Sequence, residues 1–312
     1  MPRCITILLF AASSLFAQPE IKFDYSDPLQ LPDGMNLGEA AGVAVNSKGH
    51  IFVFERSKGA QLWEFDQNGK FLRQIGKDLY GFSFAHVVRI DKDDNIWCVD
   101  EGANMVIKFN PQGRVLMLLG RKPEAVEAPR ASAEMPPARP NTFNRPTDVT
   151  WDTDGNAYIA DGYNNSRVAK VSKDGDWIKA WGKRGTDPGD FHTVHSIAID
   201  NQNRIYVGDR ENNRIQVFDT DGKFLKAFTN AGAPWAICIT PGPKQVLYTS
   251  DSARTGKIYK LDLDGNVLGV LGKSGHKPGT FGWIHEISCP TENTLFVGEL
   301  LNWRVQKLVL HP

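Results

Sequence analysis

Cysteine is scarce in this chain, with four in 312 residues, and so is any imbalance of charge: Lys and Arg number 36, as do Asp and Glu. With no long run of either sign, the balance excludes the basic footprint of a nucleic-acid or anionic-membrane partner. Past residue 16 there is no long apolar run, which excludes a further bilayer-spanning helix. Cys4 falls in the leading apolar run, leaving Cys98, Cys238 and Cys289, each among apolar residues and none in CxxC spacing. An odd count without that spacing points to buried thiols rather than a disulfide framework or a thiolate metal site.

The one long apolar run lies at the start. Arg3 precedes Ile5 to Phe16, and Ala17 precedes the polar Gln18-Pro19-Glu20. Such a run is too short to span a bilayer, and its flanks are those of an export signal. Residues 1–17 are therefore expected to be removed, and the mature chain, 18–312, to be secreted or periplasmic.

One phrase then recurs: an apolar run, a polar turn, a second apolar run ending in an acid, then a loop and a third run. The copies are GVAVNSKGHIFVFE from Gly42, HVVRIDKDDNIWCVD from His86, PTDVTWDTDGNAYIAD from Pro146, HSIAIDNQNRIYVGD from His195, PWAICITPGPKQVLYTSD from Pro234 and HEISCPTENTLFVGE from His285. Six copies of a small sheet that must stack on its neighbours predict an all-β fold, a single six-bladed β-propeller. The sixth copy ends after its third strand, so the segment from Ile21 to Leu31 is expected to supply its outer strand and remove an open sheet edge. The Pro- and Ala-rich stretch 121–144 reads as a long surface loop, mobile or lid-like.

Aligning the copies on the end of their first strand and stepping back five residues gives Ala41, His86, Thr147, His195, Trp235 and His285. Histidine thus occupies alternate blades, on the strand that lines the central channel. Three neutral imidazoles converging there, with an open coordination position, form a catalytic zinc environment. The recurring acids Glu55, Asp100, Asp161, Asp209, Asp251 and Glu299 occur in every copy and are read as structural, fixing loops through backbone N–H groups. Residues that differ between copies on the same rim carry the chemistry. Arg56 and Arg210 directly follow their acids and suit an anionic substrate, and Tyr163 suits acid/base work.

The run PTDVTWDTDGNAYIADGYNNSRVAKVSKDGDWIKAWG, followed by HSIAIDNQNRIYVGDRENNRIQVF, resembles the NHL-repeat propeller of the peptidyl-α-hydroxyglycine α-amidating lyase family. The likeness covers essentially the whole mature chain. It implies zinc on His86, His195 and His285, Tyr163 of the D-G-Y motif as the base, and roles for Arg56 and for Arg210 of the D-R-E-N motif. It also implies a structural calcium on the carbonyls of Val43 and Val88 and the carboxylate of Glu286, where the family usually has Asp. The cysteine pairs of animal members are missing at Asn144 and Asn164 and at Tyr206 and Val217, and Trp283 stands in place of a smaller methionine.

The resemblance implies elimination of an N-acyl-α-hydroxyglycine to an amide and glyoxylate. Arg56 is then the first candidate for holding the substrate carboxylate, and Arg210 the second. The copper monooxygenase half of bifunctional members has no counterpart here, so a separate hydroxylating monooxygenase is the expected partner. Two rival readings are a non-catalytic propeller that binds protein or glycan on its rim, and a metal-dependent lactonase-like hydrolase. The latter would chelate calcium with Glu, Asp and Asn where this sequence puts histidines.

Overall fold

A computed structural model describes residues 18–122, 138–252 and 255–311. The expected signal at 1–17 and most of the expected 121–144 loop lie outside the described residues. Every regular element described is a strand, and the strands form six four-stranded antiparallel sheets. This is a six-bladed β-propeller. Among the described residues no helix is long and apolar enough to cross a membrane.

The local rule behind blades 1 to 4 is an Asx turn in the first hairpin, begun by Asn46 in blade 1. In blade 3, Asp152 Oδ1 accepts the N–H groups of Asp154 (3.0 Å) and Asn156 (2.9 Å), and Gly155 takes a φ of 86°. Asp91 and Asp200 repeat that turn, with Asp94 and Asn203 both at φ 59°. Asp and Asn tolerate this left-handed conformation better than most residues, and the Asx hydrogen bonds fix the turn before packing does.

The innermost strands are Glu39–Val45, Ala85–Ile90, Asp148–Trp151, Val194–Ile199, Pro234–Ile239 and Ile284–Thr291, in blades 1 to 6. Between successive blades lies a buried apolar cluster, which is how small sheets bury both faces. Val87, Trp97 and Val99 of blade 2 meet Val149 and Ile159 of blade 3. Val53, Trp63 and Phe65 of blade 1 meet Phe296 and Val305 of blade 6, closing the ring. The sixth blade takes its outer strand from the chain start: Lys22–Ser26 pairs antiparallel with Arg304–His311, as the truncated last copy predicts.

The acids at the ends of the second strands are structural, as expected. Asp209 accepts from the His192 N–H (2.7 Å), Asn212 Nδ2 (2.8 Å) and Arg214 Nε (2.7 Å). Glu299 repeats the pattern with Gly282 N–H, Asn302 Nδ2 and Arg304 Nε. Each acid thereby ties down the loop that feeds its own blade's inner strand.

One expectation is corrected. Cys238 and Cys289 form a disulfide between the inner strands of blades 5 and 6, with Cα atoms 6.0 Å apart. The ring sets one inner strand beside the next, so residues 51 positions apart in the chain become neighbours. Cys98 is buried and free, as expected, and burial pushes its thiol pKa well up, which makes it unreactive.

Candidate metal centre

His86, His195 and His285 sit near the starts of inner strands 2, 4 and 6. Strand pairing skips a residue at each: the register shifts between Ala85 and Val87, Val194 and Ser196, and Ile284 and Glu286. A bulge bends its strand and re-aims the extra side chain, here into the channel. The imidazole centroids are 4.9 Å (His86–His195), 4.5 Å (His86–His285) and 5.1 Å (His195–His285) apart. Each ring offers one nitrogen, and the three atoms lie within 4.8 Å of one another.

The outer nitrogens are held by the next blade. His195 Nδ1 bonds the Trp235 carbonyl at 2.6 Å and His285 Nδ1 the Ala41 carbonyl at 2.7 Å. His86 Nδ1 faces the backbone of Thr147 without a well-aligned bond. A backbone acceptor on Nδ1 puts the proton there and leaves Nε2 a bare lone pair. His195 Nε2 is buried without a partner, a costly state unless something binds there. Burial holds all three pKa values below the ordinary histidine range, to about 3 for His285. The rings are therefore neutral at pH 7, and the donor set fits a zinc ion.

Tyr163 comes from the loop after the second strand of blade 3. Its neighbour Gly162 lets that loop reach the ring: a Cβ there would collide with the Val194 carbonyl. The Tyr163 hydroxyl lies 3.5 Å from His86 Nε2. Burial raises its pKa, Arg210 pulls it down, and Glu101 raises it further.

Arg56 and Arg210 share this rim. Arg56 is heavily engaged, donating from Nε to the Ala85 carbonyl (2.5 Å) and from Nη1 to Glu39 (3.2 Å), with Nη2 3.8 Å from Glu101. Arg210 is less so. Its guanidinium lies 4.6 Å from the Trp235 ring centroid and 5.4 Å from that of Tyr163, is hydrogen-bonded to the Tyr163 side chain, and pairs with Glu211.

Sequence reasoning passed over Glu101 and Arg145. Glu101 is buried 4.0 Å from His86 Nε2, and it pairs with Arg145, which also lies over the Tyr163 ring. Burial raises the Glu101 pKa against the pull of Arg145 and Arg56. A signal was present: Glu101 follows the structural Asp100 at the position that Arg56 and Arg210 hold in their own copies. Trp235 and Trp283 form an aromatic wall, with ring centroids 5.5 Å apart and Trp235 5.1 Å from His195.

The residues matched to calcium lie on inner strands 1, 2 and 6. Val43 and Val88 are fully buried in apolar clusters, and the Glu286 carboxylate is 3.0 Å from Arg89 Nη1.

The chain is similar to a described domain family and to several known proteins. Residues 141–271 match the domain family DUF5128, described as a 6-bladed beta-propeller. The mouse peptidyl-glycine alpha-amidating monooxygenase is 30% identical over 94% of this chain and 33% of its own length. A probable peptidyl-alpha-hydroxyglycine alpha-amidating lyase of Caenorhabditis elegans is 30% identical over 58% of this chain and 56% of its own length. The chain thus spans about a third of the mouse protein and just over half of the nematode one. Among solved structures, a streptogramin B lyase superposes with a TM-score of 0.64 over 93% of this chain and 98% of its own, at 15% identity, a likeness of fold alone.

Proposed function

This chain belongs to the peptidyl-α-hydroxyglycine α-amidating lyase family, and from that premise we propose a zinc-dependent carbon–nitrogen lyase that converts an N-acyl-α-hydroxyglycine to an amide and glyoxylate. The observation that carries this reading is the trio of buried, neutral imidazoles, whose free nitrogens lie within 4.8 Å of one another at a channel mouth shared with Tyr163 and two arginines. Three neutral imidazoles would hold a zinc ion and leave it able to act on a substrate oxygen.

The substrate is R–CO–NH–CH(OH)–COO⁻. His86, His195 and His285 would hold the zinc, which would supply Lewis acidity toward the hydroxyl and positive charge that favours the Tyr163 phenolate. Tyr163 Oη accepts the hydroxyl proton, the C–O bond becomes C=O, and the C–N bond breaks with its electron pair going to nitrogen. The proton then passes to that nitrogen, so Tyr163 ends as it began and the products are the amide and glyoxylate. Arg210 has the guanidinium freer to take the substrate carboxylate, while Arg56, held by Glu39 and the Ala85 carbonyl, shapes the same corner.

Export to a periplasm or out of the cell belongs to the same reading. It is supported by the leading apolar run and by the Cys238–Cys289 disulfide, a bond of oxidising compartments. A hydroxylating monooxygenase would supply the α-hydroxyglycine. The test is direct: zinc-reloaded protein is incubated with acetyl-, benzoyl- and peptidyl-α-hydroxyglycine, and glyoxylate is measured. Release above the spontaneous rate, abolished by chelation and restored by zinc, is expected. No release from any of the three by zinc-loaded protein refutes the proposal.

A further inference from the structure

Three residues along from His86 on the same inner strand, Arg89 turns into the channel and organises a second charged cluster that the proposed chemistry does not use. The family resemblance puts a calcium ion in this part of the channel, on Glu286 and the carbonyls of Val43 and Val88. The Glu286 side chain does not fit that ion, because its carboxylate already has a permanent cation beside it.

Calcium needs carboxylate oxygens free to coordinate it. Here Glu286 Oε1 is 3.0 Å from Arg89 Nη1. Asp148 is taken by the same guanidinium on both oxygens, Nε to Oδ1 at 2.9 Å and Nη2 to Oδ2 at 2.7 Å. Arg89 Nη2 also donates to the Ile237 carbonyl at 3.2 Å, and Asp148 Oδ2 accepts the Ile197 N–H at 2.9 Å. From blade 2, one planar fork therefore binds inner strands in blades 3, 5 and 6, and through Asp148 it reaches blade 4. The cluster is enclosed: the side chains of Asp148 and Glu286 are 2% and 3% exposed, and that of Arg89 is 15%. A guanidinium is permanently charged and its fork matches a carboxylate on two bonds, which suits it to this position.

We propose that Arg89 is the channel's built-in cation, joining the inner strands in the role a calcium ion would otherwise play, so that this propeller closes without calcium. The inference concerns the fold rather than the reaction. Its test reads metal content and stability, so its failure and that of the lyase reading are distinguishable.

The experiment uses the full chain, stripped with EDTA and reloaded with zinc alone. After exposure to millimolar calcium and desalting, elemental analysis is expected to find less than about 0.1 calcium per chain, and added calcium to move the thermal midpoint by less than about 1 °C. Arg89→Ser leaves two buried carboxylates without their cation. It is expected to lower the midpoint by about 10 °C and to regain at least about half of that in millimolar calcium. One calcium retained per wild-type chain, or a wild-type midpoint raised several degrees by calcium, overturns the proposal. A folded Arg89→Ser protein indifferent to calcium also overturns it. If that variant does not fold, the two wild-type measurements decide alone.

Discussion

His195 points its Nδ1 at the main-chain carbonyl of Trp235, 2.6 Å away on the next blade. Trp235 occupies the same repeat phase as the histidines, and so does Ala41, whose carbonyl receives His285 Nδ1 at 2.7 Å. His195 and His285 are thus each aimed by a blade that carries no channel histidine. The acceptors are backbone atoms, so the alternate blades keep their part of the site whatever side chain they bear.

The first prediction tests this geometry. His195→Ala removes one of three ligands but little apolar packing, so the blade should persist by circular dichroism. Zinc per chain should drop severalfold and turnover by about 10³-fold or more. Full activity in the variant would detach the chemistry from this cluster.

The second concerns Tyr163, whose hydroxyl is 3.5 Å from His86 Nε2. Tyr163→Phe keeps the ring and its packing and deletes only the proton acceptor. The expected result is a fall in kcat of about 10²-fold or more with zinc content unchanged. An unchanged kcat would remove Tyr163 from the mechanism.

The third separates the two arginines. Arg210→Met keeps an apolar stem beside Trp235 while losing the charge, and should raise KM for glyoxylate-yielding substrates by about tenfold or more. Arg56→Met, which strips the partner of Glu39 and leaves Glu101 with one arginine fewer, should also lower the thermal midpoint. Equal effects on KM and on stability in both variants would mean that the two share one role.

The repeat made the ring, the histidine phase and the borrowed outer strand legible in the sequence, because each follows from local periodicity. Contacts between blades were less so. The disulfide was missed because Cys238 and Cys289 are close only through the ring, although both lie in first strands of adjacent copies, within a residue of equivalent positions. Glu101 was passed over, since nothing local says that Arg145 and Arg56 converge on it. Glu286 was matched to calcium by its neighbour His285, and the residue that answers it, Arg89, lies on another blade.

The fourth prediction follows from the Cys238–Cys289 bond, which closes a loop of 51 residues between inner strands. Replacing both cysteines by Ser should cost about 2–4 kcal/mol of stability, read by denaturant unfolding, and leave kcat at room temperature within about twofold. Cys98, buried and with its pKa raised, should resist thiol reagents in the native state and react on unfolding. Rapid native labelling of one thiol per chain would contradict this.

The last prediction concerns which acyl group is accepted. Trp283 is 39% exposed beside the site, with φ at 56°, and packs its ring 5.5 Å from that of Trp235, itself 5.1 Å from His195. In the proposed reaction, a carboxylate held at Arg210 and a hydroxyl at the imidazoles would direct the acyl group toward this wall. An aromatic acyl group gains contact area there in the transition state as well as the ground state, which raises kcat/KM. Benzoyl-α-hydroxyglycine should therefore exceed the acetyl compound in kcat/KM by about tenfold. Trp283→Ala should remove most of that preference, about 1 kcal/mol or more, with the acetyl rate nearly unchanged. Equal losses for both substrates would assign Trp283 to holding the His285 loop in its left-handed turn rather than to reading the acyl group.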